Sequence, residues 1–186
     1  MATDTPLVSI VIPTRGRPRQ LAACLASLVT LEYPRDRLEV LVVNDGGDTT
    51  PDSINAFRPR LDVTLVNQAH TGPAAARNHG VRRANGELVA FTDDDCVVDP
   101  RWVRALAGRF EAAPGHAIGG RTLNALPHNL YSTASQILID YLYAYYNVVA
   151  ERAVFFAGRA AGRIADGERG RLRPRARPPA RATEKP

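Results

Sequence analysis

The chain has 186 residues, 45% hydrophobic and 23% charged, with 14 Gly and 14 Pro, enough to bury the core of one globular domain without disulfide staples. Its two cysteines, Cys24 and Cys96, exclude a disulfide framework or a zinc cluster and make a reducing compartment the default. The net charge of +5 invites a nucleic-acid reading, but Gly158 to Pro186 carries eight Arg and Lys185 against Asp166, Glu168 and Glu184, a balance of +6 that leaves the remainder at −1. The basicity is therefore a property of the tail, and no specific nucleic-acid partner is expected. No run approaches the roughly 18 apolar residues of a membrane helix, and Met1 to Pro6 lack the basic flank of a signal peptide. The expected location is the cytoplasm, with peripheral contact at the inner membrane face as an extension of that reading.

In chain order, Leu7 to Ile12 is an apolar run rich in β-branched residues, closed by Pro13, and reads as a buried strand. Leu21, Leu25, Leu28 and Val29 then mark one face of a helix that begins near Pro18 and ends before Tyr33-Pro34. Leu38 to Val43 is a second strand, closed by the turn formers Asn44-Asp45-Gly46-Gly47, and Val63 to Val66 a weaker third. Gly72-Pro73 opens a small-residue helix that runs to Asn85-Gly86, where Gly suits a left-handed cap. Leu88 to Phe91 is a fourth strand, ending in Thr92-Asp93-Asp94-Asp95.

Asp99 is the expected N-cap of a further helix, with Pro100 at its first position and Trp102, Leu106, Arg109 and Phe110 as a half-buried stripe up to Pro114-Gly115. Ala117 to Gly120 fits a short strand. Ser132 to Val149 fits an amphipathic helix with Leu138, Tyr141, Leu142, Tyr145 and Val149 on one side, and Tyr141 and Tyr145 are expected in the core. Beyond Gly158 the apolar periodicity stops, so the organisation expected is a folded domain over 1–157 and an Arg/Pro-rich disordered tail over 158–186. Alternation of strand and helix predicts an α/β fold, a mostly parallel central sheet with helices on both faces. In such sheets ligands bind beyond the carboxyl ends of the strands, where Thr14-Arg15, Asp45 and Asp93 to Asp95 all fall.

Three consecutive carboxylates in isolation read as a solvated loop. Directly after an apolar strand, however, Asp93 and Asp95 can face one site while Asp94 turns aside. Hard cations such as Mg²⁺ or Mn²⁺ take oxygen ligands, often two carboxylates plus a substrate's phosphates, and the same spacing also serves as a phosphatase nucleophile and acid pair. Asp45 reads as a turn residue or as an acceptor for the imide hydrogen of uracil or thymine. Arg77, in Gly72-Pro73-Ala74-Ala75-Ala76-Arg77-Asn78, reads as solvated or as a partner for a base carbonyl or a phosphate. His70, His79, His116 and His128 lack paired metal-ligand spacing and read as ordinary polar groups. Neither Cys has a nearby partner that argues for nucleophilic catalysis. No Gly-x-Gly-x-x-Gly or Walker-type loop is present, which argues against a dinucleotide dehydrogenase or a P-loop enzyme.

Taken together, Val8 to Arg15, Val42-Val43-Asn44-Asp45-Gly46, the Gly72 to Gly80 stretch and Phe91-Thr92-Asp93-Asp94-Asp95 resemble the motifs of the family 2 glycosyltransferases. The resemblance covers about residues 7 to 156. It implies a Rossmann-like α/β/α sandwich of GT-A type and transfer of a sugar, with inversion, from a UDP- or dTDP-type nucleotide sugar to an unidentified acceptor. It further implies that Pro13, Thr14 and Arg15 line the base pocket, Asp45 pairs with the pyrimidine, and Arg77 supports base or diphosphate. Asp93 or Asp94 would contact the ribose, and Asp95, with Asp93, would ligate Mn²⁺ or Mg²⁺.

After a segment like Phe155-Phe156 the family continues with an Asn-containing strand, a Gly-Gly-Phe-Asp-Glu-like turn and a Glu-Asp pair that supplies the general base, and this sequence lacks all three. The expectation is a C-terminally truncated relative that keeps the donor half without an identified base. The alternatives are a catalytically inactive remnant that binds the donor, a tail that tethers the protein to nucleic acid or anionic membrane by charge, and a phosphatase-like use of Asp93 and Asp95. Loss of the family's last strands would expose a sheet edge, so self-association is also expected.

Overall fold

A Val/Ile-rich strand covered on both faces should lie at the centre of such a sheet, and all seven residues of β1 (Val8–Thr14) are buried. In the computed structural model, which describes residues 5–49, 51–114, 117–120, 122–147 and 160–163, β1 leads into α1 (Pro18–Leu28). Pro18 sits in its first turn, where no amide donor is needed. β2 (Leu38–Asp45), the single turn α2 (Asp52–Asn55), β3 (Val63–Gln68), α3 (Pro73–Arg83), β4 (Leu88–Phe91) and α4 (Trp102–Ala112) follow. The short β5 (Ile118–Gly119), α5 (Leu130–Asn147) and β6 (Ala160–Arg163) complete the described elements.

Across the sheet the order is β3-β2-β1-β4-β6-β5. β1 to β4 are parallel, as the alternation predicts, and β6 runs antiparallel to β4 and β5. β6 lies past residue 157, the expected end of the folded domain. Strand pairing satisfies backbone groups whatever the side chains, so apolar periodicity gives no sign of it. The rest of the 158–186 tail, with Phe155, Phe156 and Val149, lies outside the described residues.

Alternation along β1 builds two cores. Val8, Ile10 and Ile12 pack with Leu21, Leu25 and Leu28 of α1 and Val103, Leu106 and Phe110 of α4. Val11 packs on the other face with Leu41, Val43, Ala76 and Val89 beneath α3. A Cβ at Gly80 would lie 2.3 Å from Val11 Cγ1, so α3 approaches β1 as closely as it does because position 80 has no side chain.

Three expectations are corrected. Gly86 does not cap α3, which ends at Arg83 with Ala84 extended (φ −66°, ψ 134°). Gly86 instead admits the backbone of β1, since a Cβ there would meet Ser9 N at 2.6 Å. Asp99 does not open α4 directly: its Oδ1 accepts the Arg101 N–H at 2.8 Å, a local turn that competes with helix, and the helix starts at Trp102.

The third correction concerns α5. Its start is capped by Asn129, whose Oδ1 accepts the Ser132 N–H at 3.0 Å, and Gln136 donates to the Thr122 carbonyl at 3.0 Å. None of its described side chains is buried, and Tyr141, expected in the core, is 62% exposed. Helical periodicity shows that a sequence has an apolar face, not that anything covers it. Among the described residues, no helix is long and apolar enough to cross a membrane.

Candidate functional site

Because β1, β2 and β4 are parallel, their carboxyl ends open on the same side, and the segments that follow them enclose a cleft of about 810 Å³. Pro13, Thr14, Arg15, Asp45, Arg77, Asp93, Asp94 and Asp95, scattered over more than eighty positions in sequence, all line it. So do Arg17 and His70, which the sequence does not single out. Arg17 carries a signal in retrospect, since it stands at the N-cap of α1. For His70 no local pattern exists, and only the fold brings it to the cleft.

The β2 side is built around Asp45. Asn44 staples the turn after the strand: its Oδ1 accepts the Gly47 N–H at 3.0 Å and its Nδ2 donates to the Gly47 carbonyl at 2.9 Å. Gly46 has φ +73°, and a Cβ there would lie 2.9 Å from His70 N, so the turn needs glycine for conformation and for space. Asp45 Oδ1 accepts from Gln68 Nε2 at 2.7 Å and from the Thr71 N–H at 2.8 Å. Its Oδ2 accepts from His70 Nδ1 at 2.7 Å and from the Gly72 N–H at 2.9 Å. These four donors fill the acceptor sites of a carboxylate.

The Thr71 N–H, ahead of the Gln68, His70 and Gly72 donors, holds the Asp45 carboxyl well below the usual carboxylate range despite its burial. Its charge also faces the N-terminus of α3, where the helix dipole favours an anion. The carboxylate thus ties the 68–72 loop to β2. The imide contact expected of Asp45 would compete with four protein donors.

Opposite lies the end of β4. Asp94 is buried, while Asp93 is half-buried and Asp95 exposed. Thr14 Oγ1 donates to Asp94 Oδ2 at 2.7 Å, and Arg17 Nη1 reaches Asp94 Oδ1 at 3.3 Å and Asp95 Oδ2 at 3.2 Å. Arg77 Nη2 pairs with Asp93 Oδ1. Burial pushes the Asp94 carboxyl up from its ordinary value, against the pull of Thr14 and Arg17 and with a push from Asp95 and Asp93. Arg15 stands between the two sides, its Nη1 3.1 Å from His70 Nε2.

One ligand atom each from Asp93, Asp95 and Cys96 lies within 4.8 Å of the others. Two carboxylates suit a hard divalent cation such as Mn²⁺ or Mg²⁺, so the residues present fit the expected metal. Cys96 is a neighbour that the sequence does not assign to a metal site.

Residues 9–167 match the model of glycosyl transferase family 2. Glycosyltransferase AglE of Haloferax volcanii is 28% identical over 131 residues, 69% of this chain and 43% of that protein. Validoxylamine A glucosyltransferase of Streptomyces hygroscopicus subsp. jinggangensis is 35% identical over 131 residues, 68% of this chain and 31% of that one. Among solved structures, mannosyltransferase PcManGT from Pyrobaculum calidifontis in complex with GDP-Man and Mn²⁺ aligns with a TM-score of 0.64 at 28% identity, covering 87% of this chain and 45% of the other. Staphylococcus aureus TarS 1–349 aligns with a TM-score of 0.55 at 23% identity over 62% of this chain and 37% of its own, a likeness of fold alone. The chain spans less than half the length of each of these proteins.

Proposed function

The chain belongs to glycosyl transferase family 2 and has the GT-A type of α/β fold, and from that premise we propose that its cleft binds a UDP- or dTDP-type nucleotide sugar and that the protein transfers the sugar, with inversion, to an acceptor hydroxyl. The observation that carries this reading is the convergence of three strand ends on one cleft, with a carboxylate pair and Arg15, Arg17 and Arg77 along its walls. A similar structure, PcManGT, holds GDP-Man and Mn²⁺, which supports the donor class and the metal.

Asp93 and Asp95 would hold Mn²⁺ or Mg²⁺, which, when bound, stabilises the negative charge that develops on the departing diphosphate. The chain's own groups do the rest. Arg77 orients Asp93, and Arg17 orients Asp95 while neutralising part of the acidic cluster. Arg15, exposed at the cleft, is available to a phosphate or a base carbonyl. Pro13 and Thr14 form the floor at the end of β1, with the Thr14 hydroxyl committed to Asp94. Inversion needs a carboxylate to take the acceptor's proton. The acids that line the cleft are Asp45, Asp48 and Asp93 to Asp95, and Asp45, Asp93, Asp94 and Asp95 are each already held by protein donors. That combination favours, as a second reading, donor binding without turnover.

Thermal unfolding with UDP, dTDP and GDP, each with Mn²⁺ and again with chelator, tests the reading. Nucleotide at about a hundred times its dissociation constant adds about 2.7 kcal/mol to stability. The expected outcome is metal-dependent stabilisation that Asp95→Ala abolishes while leaving the ligand-free transition in place. A cooperative transition that no nucleotide moves would overturn the reading. Release of sugar from the donor by the native chain would then separate a transferase from a silent binder.

A further inference from the structure

A surface helix ordinarily turns its apolar stripe to the core and its polar side to water, and α5 does the reverse. Its half-buried residues, Ser132, Thr133, Gln136, Ile139 and Asp140, lie on one side of the helix, and hydrogen bonds hold that side to the 122–129 segment. Ser132 Oγ donates to Asn124 Oδ1 at 2.6 Å, Thr133 Oγ1 to the Pro127 carbonyl at 3.1 Å and Gln136 Nε2 to the Thr122 carbonyl at 3.0 Å. The opposite side carries Leu130, Tyr131, Ile137 and Leu138, each between 58% and 84% exposed, with exposed Ala134 among them. The apolar face is aimed outward by the bonds made at its back, and turning it inward would break them.

We propose that this face is where two copies of the chain meet, α5 against α5 about a two-fold axis, an inference independent of the nucleotide-sugar reading. Leu130–Asn147 contains no Lys or Arg, and its one acid, Asp140, lies on the anchored side, where it accepts from Gln136 Nε2 at 2.9 Å. The patch can therefore face itself with no like charges opposed, as a contact between identical surfaces requires. Helices that lie in a membrane surface carry Lys and Arg on their polar side, and α5 has neither. Leu130, Ala134, Ile137 and Tyr141 recur at intervals of four, three and four, the seam along which helices pair, and the small Ala134 lets the two axes approach. Aliphatic and tyrosine side chains at these exposures present on the order of 600 Å². A pair would bury about 1,200 Å² in total, the lower end of specific interfaces, and the expected dissociation constant is micromolar.

The test is sedimentation velocity of the full chain at concentrations from below to well above the micromolar range. The native chain should pass from monomer to a closed dimer. Ile137→Glu, at a site exposed in the single chain, should weaken the dimer at least about thirtyfold, because each copy would bury an unpaired carboxylate. At a concentration where the native chain is monomeric, the variant should melt at the native temperature. Leu138→Gln, which adds no charge, should weaken the dimer less and replaces Ile137→Glu if that variant fails to fold. Val97→Glu, at an exposed apolar residue past the end of β4, should dimerise as the native chain does.

A native chain that stays monomeric, or that grows past two copies into open-ended aggregates, overturns the proposal. In the monomeric case, binding to vesicles of phosphatidylcholine and phosphatidylglycerol that Ile137→Glu abolishes would assign the face to a lipid surface instead. A dimer that folded Ile137→Glu and Leu138→Gln leave intact, or that Val97→Glu disrupts equally, has its contact elsewhere and overturns the proposal too.

Discussion

Asp45 and Asp94 face one cleft from opposite sides, and each leaves only 6% of its side chain exposed, yet their protonation is biased in opposite directions. Asp45 receives four donors, two of them backbone N–H groups fixed by the turn into α3, and its carboxyl is held down. Asp94 receives one hydroxyl and one guanidinium, with Asp93 and Asp95 beside it, and burial prevails over those partners to push its carboxyl up. Equal side-chain exposure thus accompanies opposite outcomes: at Asp45 a backbone donor is the largest influence, and at Asp94 burial is. The β2 side is committed scaffold. The β4 side holds acids paired by the partly exposed side chains of Arg17 and Arg77, and those pairings can be exchanged without dismantling the fold.

The largest effect expected is at the contact between the two turns. A Cβ at Gly47 would lie 2.4 Å from Gly16 N and 3.0 Å from the Arg15 carbonyl carbon, and backbone atoms cannot step aside as a side chain tip can. Gly47→Ala should cost about 2–3 kcal/mol in urea unfolding and remove nucleotide stabilisation together with it. Unchanged stability would mean that the two turns are independent and that the cleft is not built as one unit.

Asp45→Asn is expected to be next. The amide has one acceptor oxygen, so two of the four donors lose their partner, and the melting temperature should fall by several degrees. The pH dependence follows from the same bonds. A carboxyl lowered in the folded state from its unfolded value of 3.8 contributes stability above about pH 4 that is lost as pH falls. The native chain should therefore weaken on acidification more steeply than Asp45→Asn. Parallel acid limbs would show that the four bonds form no stronger anchor than water does.

Much of this arrangement is legible in the sequence because it rests on local signals. Apolar runs locate β1, β2 and β4, Pro18 and Pro73 mark the starts of α1 and α3, and the parallel order gathers the strand ends on one side. What escapes is long-range. Gly86 looks like a helix cap, and its close approach to Ser9, 77 residues away, has no local mark. His70 has no motif, because its meaning comes from Asp45 and Arg15 across the cleft. In α5, Tyr141 and Leu138 obey helical spacing but are exposed, since amphipathic pattern encodes a demand for a partner surface rather than its location. β6 joins the sheet by pairing with β4 and β5, which composition does not register.

The smallest effect expected is at Asp94, and its sign is the sharpest check on the comparison. Raising a carboxyl's folded value above 3.8 means that the folded chain binds the proton more readily than the unfolded chain does. Stability then declines as pH rises through the interval between the two values, and the penalty persists at neutral pH. Asp94→Asn removes that penalty, and its amide oxygen can still accept from Thr14 Oγ1. Against this stands the lost charge pairing with Arg17, a residue that is itself half-exposed, so the pairing is worth little. The melting temperature at neutral pH should therefore hold or rise by about one to three degrees, and the stability of the variant should no longer decline through that interval. A clear fall in melting temperature would show that Arg17 and Thr14 outweigh burial. The two sides of the cleft would then be built on the same principle, with only their donors exchanged.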